Sequence, residues 1–426
     1  MTKTVFSALL LSLFACSAFA QEAVLTLEEC RRAAVARSPL TVRSELAGQK
    51  RQAKDRAASS ALIPQLEINA QGSYQNEVPK FPGGLSLPIA IDLPRDQYRA
   101  TVDLNQVIYG GSSVRNTKRV NAATEKVETA SLEVQLDRLR DRINDTYLGI
   151  LMADRQLEVN ALMQKTLSAD IKAVTAQVAH GTANGGQQAA LAARMLELIQ
   201  QQAELEGTRT KLVTALSELT GLEVTDNTVL EMPAVADRLS TGKPFLQRSE
   251  MKLYTGQRGL LEMQDKLLNS KSNPKLSLFA SGGYGRPGYN FHDRDFAPMA
   301  IGGLRLSVPL TGWDATQKEK RANRIAKEDI DQQQRDFERN VSIEAAQYVT
   351  DIEKLREVTA MDPQIVEART AVRIRALAQL KGGIITEAEY LTEFNNEAQA
   401  RINAEANALR LVQAWIGYDA ARGIYK

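Results

Sequence analysis

The chain contains 426 residues, of which 43% are hydrophobic, 24% are charged and only 5% are aromatic. Its 53 basic and 51 acidic side chains nearly cancel, which argues against a nucleic-acid partner because such partners favour strongly basic surfaces. The low aromatic content favours long helices over one compact core, and beyond the first residues no apolar run is long enough to cross a bilayer as a helix.

The first twenty residues, 1–20, have the features of an export signal. Lys3 provides a positive charge, an apolar run follows, and an Ala-Phe-Ala cleavage pattern ends the segment. This run is too short to span a bilayer as a helix. We therefore predict that residues 1–20 are removed, with acylation of Cys16 as the alternative. Cleavage leaves Cys30, and the favoured interpretation of this cysteine is a small buried residue on a helix.

The remaining chain is predicted to be one structural unit repeated twice. Three pairs of glycines share an offset of 202 residues, namely Gly110 and Gly312, Gly181 and Gly383, and Gly221 and Gly423. The residues around these glycines agree in type, so duplication explains the spacing better than chance does. We expect a first repeat at 21–221, a linker at 222–243 and a second repeat at 244–426.

The first repeat is predicted to open with two helices and two strands. Thr26-Leu27-Glu28-Glu29 has the capping-box pattern of a helix start, and Ser38-Pro39 begins a second helix that runs to about Ala61. The strands, at 65–75 and 97–108, alternate polar and apolar side chains. The loop between them is rich in Pro and Gly and is expected to be extracellular.

A helical hairpin is predicted to complete the first repeat. Residues 114–178 contain no Pro, and their apolar residues recur at spacings of three and four, as in a coiled coil. About 65 residues at ~1.5 Å each give a helix of roughly 100 Å, which is too long for one small domain. Glycines at Gly181, Gly185 and Gly186 turn the chain, and a helix over 187–219 returns.

The second repeat is predicted to follow the same order. Its elements are strands at 275–285 and 299–310, a long helix from Ala315, a turn at Gly382 and Gly383, and a returning helix over 387–421. Pro363 lies inside the long helix and is expected to kink or break it, because proline removes a helical hydrogen bond.

The alternating strands allow two structural interpretations. One apolar face is typical of a half-buried strand in a soluble sheet, and equally of a transmembrane barrel strand between lipid and a wet lumen. Lengths of about 9–11 residues, aromatic residues at the strand ends and charges on the polar faces favour the barrel. The charged residues assigned to the barrel lumen are Glu67, Arg99, Asp103 and Arg305, and Phe279 is the apolar exception on the polar face of the third strand.

Four strands cannot close a barrel by themselves. Open strand edges in lipid would leave backbone groups without hydrogen-bond partners, so closure requires other copies of the chain. The predicted fold class is therefore an α+β membrane protein that combines a duplicated unit, four membrane strands per chain and long antiparallel helices.

Several segments also follow one another with the order and spacing of a known family. They are Leu25-Thr26-Leu27-Glu28-Glu29 with Ser38-Pro39, Lys243-Pro244 with Arg248-Ser249-Glu250, and Gly382-Gly383-Ile384-Ile385-Thr386 with Glu389-Tyr390-Leu391. In these segments, and over nearly all of the mature chain, the sequence resembles the TolC family of outer-membrane efflux proteins.

This resemblance implies a homotrimer with a 12-stranded β-barrel in the bacterial outer membrane and an α-helical barrel in the periplasm. It implies a passive exit duct of a tripartite efflux pump or a type I secretion system. The expected partners are outer-membrane lipid, a periplasmic adaptor (membrane fusion) protein and an inner-membrane pump of the RND, ABC or MFS type. No nucleic acid is expected.

The resemblance also assigns the helix tips to a periplasmic aperture that closes like an iris. The residues assigned to it are Gly181, Gly185, Gly186, Gly382, Gly383, Arg373, Arg375, Glu387, Glu389 and Glu393. Glu389 matches a carboxylate position of the family's aperture ring, but the second position is Thr392, beside Glu393. The alternative is that these carboxylates only stabilise a helix start. Arg373 and Arg375 are expected either to hold the tip closed by pairing with carboxylates or to lie on a solvated face.

The sequence gives no pattern of an enzyme. His180 and His292 are its only histidines, and neither lies in a cluster with metal-ligand spacing. No nucleotide-binding or nucleophile motif occurs, so no catalytic activity, cofactor or metal is expected. The competing hypothesis is a periplasmic coiled-coil scaffold or adaptor without a membrane barrel. It shares the helical hairpins, but the lipoyl-like hairpin with small β domains that is usual in an adaptor is not found.

Overall fold

A computed structural model describes residues 24–78, 94–180, 184–234, 239, 243–290 and 295–425. The predicted signal, most of the loop between the first two strands, Gly181 and His292 lie outside these residues.

The elements follow one another in two similar runs. In chain order they are α1 (Leu27–Arg37), α2 (Pro39–Ser60), β1 (Gln65–Tyr74), β2 (Asp96–Tyr109), α3 (Ser113–Ala179), α4 (Gly185–Thr220), α5 (Ser249–Ser270), β3 (Lys275–Arg286), β4 (Ala297–Ser307), α6 (Trp313–Lys381) and α7 (Glu387–Ala421). A short 3-10 turn at Pro244–Gln247 precedes α5. Each run thus passes from a helix into two strands, a long helix and a returning helix, and most of the chain is helical.

The two predicted helix starts near the beginning of the chain are confirmed. The Thr26 side chain accepts a hydrogen bond from the backbone N–H of Glu29 at 3.3 Å, and the Glu29 carboxylate accepts one from the backbone N–H of Thr26 at 3.0 Å. This reciprocal capping box opens α1. Ser38 caps α2 through the backbone N–H of Leu40, with Pro39 at the first helical position.

The strands form one antiparallel sheet in the order β1-β2-β3-β4. The register places Leu66 opposite Leu104, Leu104 opposite Ala280 and Ala280 opposite Gly302. Since alternate residues share a face, the apolar positions of all four strands lie together. β1 and β4 are the two edges, and neither pairs with a further strand among the described residues.

The described residues leave the apolar face of this sheet uncovered. Ile68 is 82% exposed, Leu66 69%, Leu306 67% and Leu304 64%. A soluble half-buried sheet would cover such a face with a helix or a second sheet. No such cover packs on these side chains within the described part of the chain.

The fourth strand ends earlier than predicted. It was expected to reach residue 310, but β4 ends at Ser307. Pro309 follows two residues later, and proline has no backbone N–H to donate to a neighbouring strand. The ladder therefore stops before the proline, and the chain enters α6 through Gly312, whose φ is +98°.

The long helices form two antiparallel hairpins. α3 has 67 residues and α6 has 69, so each extends about 100 Å at ~1.5 Å per residue. α3 packs along α4 and α6 along α7, while α2, α3, α5 and α6 neighbour one another in that order below the sheet. None of the helices in the described ranges combines the length and the apolar character that a bilayer span requires.

Pro363 does not break its helix, so that alternative was wrong. α6 continues through Pro363 from Trp313 to Lys381. The neighbouring Asp362 is buried and accepts hydrogen bonds from the Asn407 side chain of α7 at 3.0 and 3.3 Å. Packing of α6 along α7 outweighs the local cost of the proline.

Two of the buried apolar clusters contain side chains of both hairpins. The first lies where α1 meets the long helices and contains Cys30, Ile143, Tyr147 and Leu216. Cys30 has no exposed surface, which confirms its prediction as a buried helical residue. The second cluster lies near the tips and is made of side chains from both hairpins, among them Met163, Leu167, Val174, Leu191, Leu380, Tyr390 and Phe394. The tips are therefore packed against each other within one chain.

Candidate functional site

The tip of the second hairpin is built by a glycine turn and a capped helix start. α6 ends at Lys381, and Gly383 adopts a φ of +69°, in the left-handed region that favours glycine. The Thr386 hydroxyl accepts a hydrogen bond from the backbone N–H of Glu389 at 3.3 Å. The Glu389 carboxylate accepts hydrogen bonds from the backbone N–H of Thr386 at 2.8 Å and from its hydroxyl at 2.9 Å.

Glu389 therefore has a local role in capping α7. Its hydrogen bonds with the backbone and then the side chain of Thr386 lower the pKa of its carboxyl. The carboxylate is also exposed to solvent at the tip. The geometry thus supports the alternative in which Glu389 stabilises a helix start. Its negative charge still lies at the tip, where the aperture is expected.

The tip of the first hairpin carries no such carboxylate in its described part. Asn184 precedes α4, and its side-chain oxygen accepts a hydrogen bond from the backbone N–H of Gly186 at 2.9 Å. Gly185 and Gly186 are exposed and form the first residues of α4. A neutral cap therefore opens this helix, in contrast to the carboxylate cap of α7.

A buried polar network joins the two hairpins just above their tips. Asp170 on α3 accepts a hydrogen bond from the Tyr390 hydroxyl on α7. The same carboxylate lies 3.7 Å from the Arg373 guanidinium on α6. Asp170 is only 5% exposed. Because Asp170 belongs to the first hairpin and its two partners to the second, these contacts connect the hairpins.

Glu397 on α7 forms the other half of this network. It is 2% exposed and accepts hydrogen bonds from Nε of Arg373 at 2.5 Å and from the hydroxyl of Thr370 at 2.9 Å. Arg401 donates two more, at 2.9 and 2.7 Å. We call Asp170, Thr370, Arg373, Tyr390, Glu397 and Arg401 the tip network. A buried carboxylate with this many charge-assisted partners is held in one geometry.

The two carboxyls of the tip network respond differently to burial. Burial raises the pKa of Asp170, although the hydrogen bond from Tyr390 and the charge of Arg373 oppose that effect. Burial also acts to raise the pKa of Glu397, but hydrogen bonds from Arg401, Thr370 and Arg373 outweigh it and lower the pKa. Glu397 is therefore held ionised, whereas ionised Asp170 depends on its two partners from the second hairpin.

The structure places the other residues assigned to the tip as follows. Arg373 pairs with buried carboxylates of its own chain rather than with Glu387 or Glu389. Arg375 is exposed, as the solvated-face alternative expects, and Glu387 is half-buried at the start of α7. Glu393 lies 3.6 Å from Arg369. Gly382 has an ordinary helical φ of −84°, so of the two glycines in this turn Gly383 alone has a φ that favours glycine.

The sequence-based site did not include Asp170 and Glu397, although a signal for both exists. Asp170 lies three residues after Leu167 and four before Val174, within the apolar stripe of α3. Glu397 occupies the same kind of position on α7, three residues after Phe394. A buried acidic residue requires hydrogen-bond or ion-pair partners. Acidic residues at core positions of the helices could therefore have predicted the network.

The polar face of the sheet gathers the charged residues assigned to the lumen. The register sets Glu67 opposite Asp103, Arg99 opposite Gln71, and Arg305 opposite Ser277. Asp103 accepts hydrogen bonds from Asn69 at 2.6 Å and Thr101 at 3.1 Å. All four charges thus lie on one face, opposite the uncovered apolar side chains.

Phe279, the apolar exception on the polar face of β3, has a charged partner. The guanidinium of Arg305 lies 5.0 Å from the centroid of the Phe279 ring, within the range of a cation–π contact. Gly303 faces Phe279 in the register, which leaves room for the ring. The exception is therefore covered by a cation rather than exposed to water as a bare aromatic side chain.

The described residues hold no group of three or more His, Cys, Asp and Glu side chains with the geometry of a metal site. The chemistry that the arrangement offers is that of a charged surface on a sheet and a linked pair of helix tips.

No protein-family model matches the sequence, and no curated protein sequence matches it. The fold does have solved counterparts. The outer membrane protein VceC from Vibrio cholerae matches with a TM-score of 0.69 at 14% identity, over 93% of this chain and 96% of VceC. CusC, whose structures concern transmembrane channel formation, gives a TM-score of 0.72 at 13% identity, over 94% of this chain and 92% of CusC.

The outer membrane channel CmeC from Campylobacter jejuni gives a TM-score of 0.67 at 13% identity, over 93% of this chain and 85% of CmeC. This chain therefore has the fold of outer-membrane channel proteins. That finding agrees with the TolC-family fold expected from the sequence, because the match extends over nearly the whole chain rather than over its helices alone.

Proposed function

We propose that this protein is an outer-membrane channel that passively conducts substrate from an inner-membrane pump and a periplasmic adaptor to the cell exterior. Its place is in a tripartite efflux pump or a type I secretion system, with the helical hairpins in the periplasm. The proposal includes no catalytic step, no cofactor and no nucleic acid. Its support comes from the sheet, the tips and the fold shared with solved channels.

The observation that carries the proposal is the uncovered sheet with two free edges. Its apolar side chains are 64–82% exposed at Leu66, Ile68, Leu304 and Leu306, and its other face carries charges. In a membrane barrel, lipid contacts the apolar face and water in the lumen hydrates the charged face. Edge backbone groups in lipid require partners, which neighbouring chains provide when the β1 edge of one pairs with the β4 edge of the next.

Three copies would then form a closed 12-stranded barrel, as the TolC resemblance implies. The two repeats, 21–221 and 244–426, would each supply two strands of every chain, joined through the linker at 222–243. Glu67, Arg99, Asp103 and Arg305 would line the lumen, where their charges stay hydrated.

The helix tips would form the periplasmic aperture. In this proposal the tip network holds the two hairpins of one chain together in the closed state, and docking of the adaptor and pump moves them apart. Glu387, Glu389 and Glu393 lie at the second tip, where Glu389 brings a negative charge to the opening. Arg373 contributes by binding Asp170 and Glu397, and Arg375 adds a solvated charge.

A matched pair of variants tests the barrel. Ile68→Lys places a charge on the apolar face, where a lysine costs about 2–4 kcal/mol at the bilayer midplane. Glu67→Lys puts the same residue on the neighbouring polar face, opposite Asp103. We expect Glu67→Lys to accumulate as a heat-modifiable trimer in salt-washed outer membranes, and Ile68→Lys to be strongly reduced there. Equal recovery of both variants would contradict the proposal.

The alternative is a periplasmic coiled-coil scaffold or adaptor, which the helical hairpins also allow. It predicts that the wild-type protein is released with the soluble periplasmic fraction and gives no conductance in planar bilayers. Membrane retention after a high-salt wash, together with single-channel currents, would exclude it.

A further inference from the structure

A cleft at the junction of the sheet and the helices has the chemistry of a lipid headgroup site. It lies between the end of α2 and the start of α3, has a volume of about 690 Å³, and opens beside the last residues of β2. Its lining combines apolar side chains, Leu62, Ile108 and Tyr109, with the cations Arg115, Lys118 and Arg119. It also contains the ion pair of Arg51 with Asp55.

A β-bulge turns the apolar end of this cleft toward the lipid side. Up to Val107, odd-numbered residues of β2 lie on the polar face, and Val107 is opposite Ser277. The register then shifts, so that Tyr109 is opposite Leu276, a member of the apolar face. Without the bulge the Tyr109 ring would point to the polar face. With it, the half-exposed ring marks the helix-side boundary of the apolar band, where interfacial tyrosines occur.

Three of the four cations that line the cleft, Arg115, Lys118 and Arg119, are not neutralised by carboxylates among the described residues, whereas the fourth, Arg51, is. Arg51 pairs with both Asp55 and Glu125, at 3.2 and 2.6 Å, so the nearby acids are already engaged. Arg115 donates to the Ser112 hydroxyl at 3.1 Å and Arg119 to the Asn116 side chain at 3.3 Å. In the part of the chain that the structure describes, neither these two arginines nor Lys118 forms a salt bridge. Positive charge beside exposed apolar surface complements an amphiphilic anion.

The cleft is formed by the helices of one chain and does not lie at the sheet edges where further chains would pair. α2 packs on α3, α3 on α5 and α5 on α6, in the same order as the strands. The cleft between α2 and α3 therefore lies inside this row of helices, so assembly of further chains at the sheet edges leaves it in place.

We propose that this cleft binds a glycerophospholipid of the membrane leaflet on the helix side. Its phosphate lies between Arg115 and Lys118, and its acyl chains follow the apolar face beyond Tyr109 and Ile108. This inference rests on the proposed membrane function, since only a membrane-embedded sheet brings the leaflet to this level. Bound lipid fixes the depth of the barrel, because each juxtamembrane cation adds attraction to anionic headgroups.

The test uses the full-length trimer purified in detergent and titrated with phosphatidylglycerol, with adducts measured by native mass spectrometry. We expect Arg115→Glu combined with Lys118→Glu to weaken lipid binding by roughly ten-fold or more, since two attractive charges become repulsive. Glutamates near the start of α3 also favour the helix dipole, so the variant is expected to fold. Lys118→Gln, a neutral change, is expected to give a smaller loss.

Lys165→Glu is the matched control. This lysine is exposed on the same helix, 47 residues after Lys118, or about 70 Å away at ~1.5 Å per residue. We expect it to bind lipid as the wild type does. Equal binding by the double variant and the wild type would overturn the proposal, and so would full displacement of lipid by glycerol phosphate, which would identify a free phosphate as the occupant.

The two proposals fail in different ways. If the double variant keeps single-channel conductance and outer-membrane recovery but also keeps its lipid, only the headgroup site is wrong. If the wild-type protein is recovered from the soluble periplasm, the membrane function fails and the lipid site fails with it.

Discussion

Tyr390 on α7 donates a hydrogen bond to Asp170 on α3, and this contact connects the returning helix of the second hairpin to the long helix of the first. The two residues are 220 positions apart in the chain, and both are buried. Because this hydrogen bond joins the two hairpins, the tips of one chain can separate only if the bond breaks or is exchanged for another.

Removing the Tyr390 hydroxyl is expected to loosen the tips. In Tyr390→Phe the Asp170 carboxylate loses one of its two partners, and a hydrogen bond to a charged group contributes about 1.5–3 kcal/mol. We expect a higher single-channel conductance, or a larger fraction of time in open states, in planar bilayers. Tyr254→Phe on α5 makes the same chemical change outside the network and should leave the currents unchanged. Wild-type currents in Tyr390→Phe would show that this hydrogen bond does not hold the aperture.

The tip network is expected to lose stability in acid through Glu397. Hydrogen bonds from its partners lower the folded-state pKa of this carboxyl, so its contribution is present above the unfolded pKa and is lost as the pH falls through the folded pKa. The pKa of Asp170 is raised by burial, so its contribution has the opposite sign and is lost as the pH rises through its folded pKa. The two effects partly offset each other in the wild type.

Glu397→Gln separates these effects. At neutral pH the variant should be less stable by about 3 kcal/mol, because Arg373 and Arg401 lose their shared carboxylate. Its stability should then fall less on acidification than that of the wild type, as measured by the helical circular dichroism signal during thermal unfolding. Glu367→Gln, at an exposed position of α6, should follow the wild-type pH profile. A parallel acid loss in Glu397→Gln and the wild type would rule out this source of pH dependence.

Charge and capping at Glu389 can be separated by one substitution. Glutamine also occurs at the N3 position of a capping box, so Glu389→Gln keeps the hydrogen bond to the backbone of Thr386 while removing the negative charge. If the carboxylate faces the aperture, we expect Glu389→Gln to reduce cation selectivity in planar bilayers, with the start of α7 intact. Selectivity that changes only in Glu389→Ala, and not in Glu389→Gln, would assign the residue to capping alone.

The turn at the second tip is expected to depend on one of its two glycines. Gly383 has a φ of +69°, and no atom lies within 4 Å of the position of an added Cβ, so a side chain there is penalised by backbone conformation rather than by a clash. We expect Gly383→Ala to destabilise the tip by about 1–2 kcal/mol. Gly382→Ala, at an ordinary helical φ of −84°, should be tolerated. Hydrogen exchange of the amides that follow the turn would report the difference.

Periodicity in the sequence was enough to predict the elements. Alternation of polar and apolar residues gave the four strands, and spacings of three and four gave the long helices. These patterns are local, because they follow from the pitch of a strand or a helix. The start of α2 at Ser38-Pro39 was predicted for the same reason, since the capping geometry involves only adjacent residues. The boundary of β4 was missed because alternation continues past Ser307, where Pro309 ends the hydrogen-bonded ladder.

The sequence by itself thus determined the element types, the separation of charged and apolar strand faces, and the position of the glycine turn at the second tip. Only the tertiary structure decided that Arg373 binds Asp170 and Glu397 rather than the exposed tip carboxylates, and that α6 continues through Pro363. It also decided that a bulge brings Tyr109 to the apolar face. Each of these outcomes depends on which side chain of another helix or strand lies opposite, and contacts between different elements leave no periodic signal in the sequence.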